Sequence, residues 1–187
     1  MLRKTPFKKK PYQWKRNKPL STAGSKSVAA KPKYETPEAK DKKKHIDELD
    51  KVFQFYIRLR DSRSDGRCVC ISCGKIVPFE KIQAGHYRSR KNMSTRWSEL
   101  NVNGECFSCN CMEGDHLINY RKNLIKKIGE NKVNWLDAYC NQTYKWSDFE
   151  IVILIKDYSK KCLQLSEEKG IPLSLTVKRI IKKYTKR

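Results

Sequence analysis

Two Cys-x-x-Cys pairs bracket the residues of this chain that could do chemistry. Cys70 and Cys73 form the first pair, Cys106 and Cys109 the second. Between them lie His86, in the run Gly-His-Tyr-Arg, and Asn101; Asn110 directly follows the second pair. A Cys-x-x-Cys turn presents two sulfurs at the bite zinc prefers, and two such turns together make a closed tetrahedral site. Gly74 after Cys73 suits the tight turn, because glycine reaches positive φ without steric cost. Cys68 and Cys111 extend the pairs to Cys-x-Cys-x-x-Cys and Cys-x-x-Cys-x-Cys. The inner four have the knuckle spacing and are read as the ligands of a structural zinc. Cys68 and Cys111 are read as reserve ligands or as part of a second, partial site. Nothing reads as a secretion signal, so the spacing argues for metal over a disulfide framework.

An imidazole titrates near neutrality and can serve as a general base, so His86 is the candidate for proton transfer. Arg88, Arg90, Lys91 and Arg96 follow it closely and are candidates for gripping phosphates. The whole chain points the same way. Its 187 residues carry 42 Lys+Arg against 20 Asp+Glu, a formal net charge of +22. That excess exceeds what solubility requires and predicts a polyanionic partner, with DNA foremost. An anionic membrane is the weaker reading, since no apolar run approaches the ~18 residues that a spanning helix needs. A cytoplasmic location is expected.

The elements that must position these residues can be read in four parts. Residues 1–35 have no acidic residue before Glu35 and are rich in Lys, Arg, Pro and Ser. They are expected to be a disordered basic arm, with Tyr12 and Trp14 available to stack on bases. Residues 36–67 carry a helix from Pro37 to Asp61, with Thr36 as cap and a stripe of Ile46, Leu49, Phe53, Tyr56 and Ile57. That stripe should pack on the zinc module or on a partner, and it is a possible homodimer surface. Residues 68–130 form the zinc module. Within it Lys75–Pro78 and Ile82–Arg88 are expected to pair as a hairpin, and Asp115–Ile128 to form a helix stopped by Gly129. Residues 131–187 form a C-terminal helical region. It holds a short helix or turn at Lys132–Tyr139 and a capping box at Ser147 and Glu150. A helix from there to Lys169, closed by Gly170, and a basic tail, VKRIIKKYTKR, complete it. Cys140 and Cys162 read as small core residues. The fold class is α+β.

The order Cys-x-x-Cys, His, Asn, Cys-x-x-Cys, Asn resembles the zinc-supported HNH endonuclease motif. The stretches CISCG, QAGHYRSR, RWSELNVNGECFSCN and NYRKNLI closely resemble the lambdoid phage NinG family, also called Rap, over Cys68 to Gly129. The resemblance implies a small ββα-metal (HNH) module flanked by helices. It implies a recombination endonuclease acting on branched DNA, Holliday junctions and D-loops, with catalytic Mg²⁺ or Mn²⁺. It makes His86 the general base, Asn101 the residue that fixes the loop and orients that base, and Asn110 a metal ligand at the start of the following helix. Many family members carry an aspartate just before the histidine as a second ligand; here that residue is Gly85. Glu105, Asp115 or His116 could supply the missing ligand. Two readings compete with the enzyme: a zinc-stabilised nucleic-acid-binding module without catalysis, and a scaffold that recruits other recombination proteins.

Overall fold

Apolar residues recur on one face of residues 37–61, and no glycine or proline interrupts them after Pro37. They form the longest helix, α1 (Pro37–Asp61). The computed structural model of the chain describes residues 37–185, so Thr36 and the basic arm with Tyr12 and Trp14 lie outside it. Helix α1 buries Leu49, Val52, Phe53, Tyr56, Ile57 and Leu59. Two later helices cover that stripe. Helix α4 (Asp148–Lys169) lays Ile151, Ile155, Tyr158 and Cys162 on it, and α5 (Leu175–Thr185) adds Val177, Ile180 and Ile181. Phe53 meets Tyr158 edge-on, with ring centroids 4.8 Å apart. Burying a side chain of this size contributes about 1.5–3 kcal/mol. The stripe is therefore used within the chain and is not open to a second copy.

Local signals set the ends of α4. Ser147 Oγ accepts from the Glu150 backbone N–H at 3.2 Å, and the Glu150 carboxylate accepts from the Ser147 N–H at 2.7 Å. Gly170 closes the helix at φ +64°, where a side chain would be strained. The basic C-terminal segment is one face of the amphipathic α5. Its apolar face joins the core, and Lys183 bonds Glu48 on α1 at 2.8 Å.

The strands pair differently from the expected hairpin. Strand β1 (Arg67–Val69) pairs antiparallel with β2 (Ile76–Pro78), Cys68 opposite Val77. Strand β3 (Ile82–His86) pairs with β4 (Val102–Cys106), Ile82 opposite Cys106 and His86 opposite Val102. The segments 75–78 and 82–88 do not pair with each other. The first knuckle, with Gly74 at φ +73°, folds 76–78 back onto 67–69, and a 3₁₀ turn at Phe79–Lys81 carries the chain onward. Pairing β3 with the strand that enters the second knuckle brings the two cysteine pairs together; Ile71 N–H donates to Gly104 O at 2.9 Å across that seam. Strand β4 was not foreseen. Its sequence, VNGEC, is poor in strand formers, yet every residue in it is buried.

A π-helical turn, Ser108–Met112, follows the second knuckle, closed by Glu113 N–H on Ser108 O at 3.1 Å. It keeps Cys109 with the other sulfurs before the chain leaves. Asn110 therefore sits in this turn and does not begin the next helix, as had been expected; α2 (His116–Ile128) starts six residues later. Gly129, at φ +88°, separates α2 from α3 (Glu130–Tyr139), so the ambiguous 132–139 segment is helical. Tyr120, Leu124, Val133 and Leu136 of this helix pair form a second apolar cluster under Tyr87. Cys140 and Cys162 are buried as read. Among the described residues no helix is long and apolar enough to cross a membrane. The architecture is α+β, with two small antiparallel sheets set among five helices of the described residues.

Candidate functional site

The Sγ atoms of Cys70, Cys73, Cys106 and Cys109 all lie within 4.8 Å of one another. Cys73 and Cys106 are 3.8 Å apart. With Zn–S bonds of about 2.3 Å, the edge of a tetrahedron is about 3.8 Å. The four cysteines are thus arranged to hold a metal ion, and an all-thiolate set suits structural zinc. Burial raises the Cys70 thiol above its ordinary value, although the Cys106 N–H that donates to its Sγ at 3.3 Å acts the other way. Burial opposes ionisation of Cys73, but the Lys75 N–H and the neighbouring thiols outweigh it and hold the group below its ordinary value. Cys68 takes no part. It is buried against α1, where burial pushes its thiol up to about 11. Cys111 is exposed, its Sγ 3.4 Å from Gln83 Oε1.

His86 ends β3 at the wall of a cavity of about 950 Å³ that Asn110, His116, Gln83, Lys51 and Arg90 also line. Its Nε2 lies 3.1 Å from the Arg96 carbonyl oxygen. A carbonyl only accepts, so Nε2 carries the hydrogen and Nδ1 the lone pair. Burial holds the ring below the ordinary histidine range, and the charges of Arg90 and Arg96 add to that effect against the Arg96 carbonyl and Asp50. The carbonyl itself is well fixed. Asp50 of α1, nearly buried, accepts from Arg96 Nε at 3.0 Å, from Arg96 Nη2 at 2.5 Å and from Trp97 Nε1 at 2.8 Å.

Asn101 is fully buried and ties down the loop that leaves His86. Its Oδ1 accepts from Arg88 N–H at 2.7 Å, and its Nδ2 donates to the carbonyls of Arg88 and Thr95, both at 3.0 Å. It fixes the loop; the ring of His86 is held by Arg96. Asn110 donates from Nδ2 to Gln83 Oε1 at 2.7 Å. His116, at the start of α2, places Nδ1 2.7 Å from Glu105 Oε1, which also accepts from Ser72 Oγ at 2.5 Å. Tyr120 donates to the Gly85 carbonyl at 2.8 Å, anchoring β3 beside His86.

A family model described as Bacteriophage Lambda NinG protein matches residues 2–168. The chain belongs to the NinG family. Relatives named protein ninG, from Escherichia phage lambda and Escherichia phage 933W, are each 28% identical over 126 residues, 67% of this chain. The protein ninG of Salmonella phage P22 is 27% identical over the same length. These matches span 59–60% of the relatives' own length, so the chain covers about three-fifths of each. No solved structure matches it.

In this NinG chain the four basic residues after His86 fall into two kinds. Arg90 and Lys91 are exposed. Arg96 is committed to Asp50, and Arg88 to Asp137 through Nε at 2.9 Å and Nη2 at 2.6 Å. Those two side chains brace the loop. The cavity also recruits residues that the sequence reading passed over: Gln83, and Lys51, Gln54 and Arg58 of α1. The α1 residues lie three, four and seven apart, one polar face of a helix that was read only for its apolar stripe.

Proposed function

We propose that this NinG chain is a metal-dependent DNA endonuclease in which His86 is the general base. The observation that carries the reading is the state of His86. It is a half-buried imidazole on a cavity wall, with Nε2 held by a fixed carbonyl, Nδ1 left with the lone pair, and a pKa below the ordinary range. Such a ring is neutral at physiological pH and can take a proton from water. The water oxygen forms a bond to phosphorus while the proton passes to Nδ1. The bond from phosphorus to the leaving sugar oxygen breaks, and that oxygen takes a proton from solvent. Arg90, Lys91 and Lys51 are placed to meet backbone phosphates, and a net charge of +22 draws the polyanion in.

Bound Mg²⁺ or Mn²⁺ would neutralise charge on the phosphoryl and leaving oxygens. Asn110 suits a hard cation, since its amide hydrogen goes to Gln83 and its carbonyl oxygen is the remaining donor. His116 lines the same cavity. Zinc held by the four cysteines would keep β3 and β4 in register and so help set where His86 stands. The resemblance to NinG endonucleases points to branched DNA, Holliday junctions or D-loops, as substrate. Resolving a four-way junction takes two nicks and so favours two copies, which must meet elsewhere than on the buried stripe of α1.

The test is a four-way DNA junction beside a linear duplex of the same sequence, with Mg²⁺ or with EDTA. The expected result is Mg²⁺-dependent nicks near the branch point. His86→Ala should lower the rate by about 10²–10⁴-fold with junction binding unchanged in a gel shift. Cleavage retained in His86→Ala removes the base assignment. Binding without cleavage in the wild type, with either Mg²⁺ or Mn²⁺, leaves a zinc-stabilised DNA-binding module.

A further inference from the structure

We propose that Glu105 provides the acidic ligand of a divalent-cation site between the β3–β4 pair and α2, supplying from the neighbouring strand the carboxylate that Gly85 cannot. The inference rests on the nuclease reading for its purpose, but its evidence is separate.

Glu105 is fully buried, which is uncommon for a carboxylate. Its two oxygens differ. Oε1 receives Ser72 Oγ and His116 Nδ1. Oε2 is buried and has no hydrogen-bond partner among the described residues. A carboxyl oxygen so placed has given up its hydration without gaining a partner, and a cation would supply the missing interaction. A packing role for Glu105 explains Oε1 and leaves Oε2 without an account.

The location of Oε2 is specific. A Cβ added at Gly85 would fall 2.1 Å from it and 2.8 Å from Glu105 Cβ. The Glu105 carboxylate therefore occupies the space that a side chain at position 85, next to His86, would fill. The remaining donors are linked to Glu105 through the strand pair and the start of α2. Gln83 is the direct cross-strand partner of Glu105, and Gln83 holds Asn110 by its amide. His116 is bonded to Glu105 itself. One carboxylate oxygen and one amide carbonyl are hard donors, the kind that Mg²⁺ and Mn²⁺ take, with water completing the shell.

Manganese alone is the probe, added to the zinc-loaded chain. Electron paramagnetic resonance counts the free ion. The wild type should bind one Mn²⁺ in addition to its zinc. Glu105→Gln, which keeps the shape and removes the charge, should weaken that binding by about 100-fold, the upper end of what even outer partners of a metal cause. Zinc content and helical circular dichroism should not change. Wild-type affinity for Mn²⁺ in Glu105→Gln, with the fold intact, overturns the inference and leaves the nuclease reading standing. Should the variant lose zinc or fold, amide NMR of the wild type decides. Mn²⁺-dependent broadening centred on Gly85, Glu105 and Asn110 supports the site; broadening centred elsewhere overturns it. A wild type that binds no Mn²⁺ and cuts nothing removes both readings together.

Discussion

Around α1 the chain is held by apolar burial. Phe53, Ile57, Ile155, Tyr158 and Ile181 belong to one continuous cluster that draws on three helices. Around the knuckles the strands reach that same cluster through Cys68, Phe79, Ile82 and Val102, but three of the four knuckle cysteines stand apart from it. Among the described residues, Cys70, Cys106 and Cys109 form their own small cluster, with Val77 packed against it. Both sheets there have two strands, and a two-stranded pair is marginal on its own in water. The helical region has an apolar core of its own, whereas the four cysteines are arranged to be held by a metal ion. His86 stands where the two meet. Its strand is set by the pairing of β3 with β4, and its ring is set from α1 through Asp50 and Arg96. The lesson is that a site of this kind needs two supports of different origin, and each can be removed separately.

Removing zinc should separate the two regions most sharply. Structural zinc in small peptides accounts for about 10–16 kcal/mol of apparent folding energy. Stripping it with a chelator, or making Cys106→Ser, should abolish the amide signals of β3 and β4 and any cleavage. Much of the helical circular dichroism of α1, α4 and α5 should persist. Helices and strands melting as one unit would show that the two regions are not separately supported.

Phe53→Ala attacks the other side. Emptying a fully buried phenylalanine site costs about 3–5 kcal/mol. Urea unfolding of the zinc-loaded protein should show that loss, while the folded variant still binds zinc one to one. A variant that drops its zinc in the absence of urea would show the regions to be less independent than their packing suggests.

Asp50→Asn probes the link between them. It loosens the Arg96 carbonyl that holds His86 Nε2 and removes a negative charge that raises the histidine's pKa. On the proposed mechanism cleavage needs the neutral ring, so the wild-type rate should climb with pH through a pKa below the ordinary value of about 6.5 and stay level above it. In Asp50→Asn the plateau should drop by about tenfold, equivalent to about 1.4 kcal/mol. The rising limb should move to still lower pH. A limb that moves upward would contradict the charge argument.

The smallest effect belongs to a cap far from the site. Ser147→Ala removes one half of the α4 capping box and should cost about 1 kcal/mol of stability. Thermal unfolding measures it, and zinc binding and the pH profile should be untouched.

Much of the helical frame was legible in the residues. Pro37 and the stripe through Phe53 marked α1, Ser147 with Glu150 marked the start of α4, and Gly129 and Gly170 marked two ends. The strand pairing was not. Strand β4 hides Asn103 and Glu105 in a buried segment, and polar side chains erase the alternation by which strands are recognised. Arg88 and Arg96 looked like phosphate contacts beside a histidine. Their acidic partners, Asp137 and Asp50, lie 49 and 46 residues away, beyond any local pattern.

The sequence by itself determined the four cysteines that could hold a metal, the helices α1, α2 and α4, the capping box of α4, and the strong positive charge. Each depends on residue type and on spacing over a few positions, which local sterics and ligand geometry suffice to fix. Only the tertiary structure decided which strands pair, which arginines remain exposed, and that the Glu105 carboxylate lies over Gly85 beside His86. Those depend on segments distant in the chain meeting in space, and that meeting is set by the whole core and the metal together.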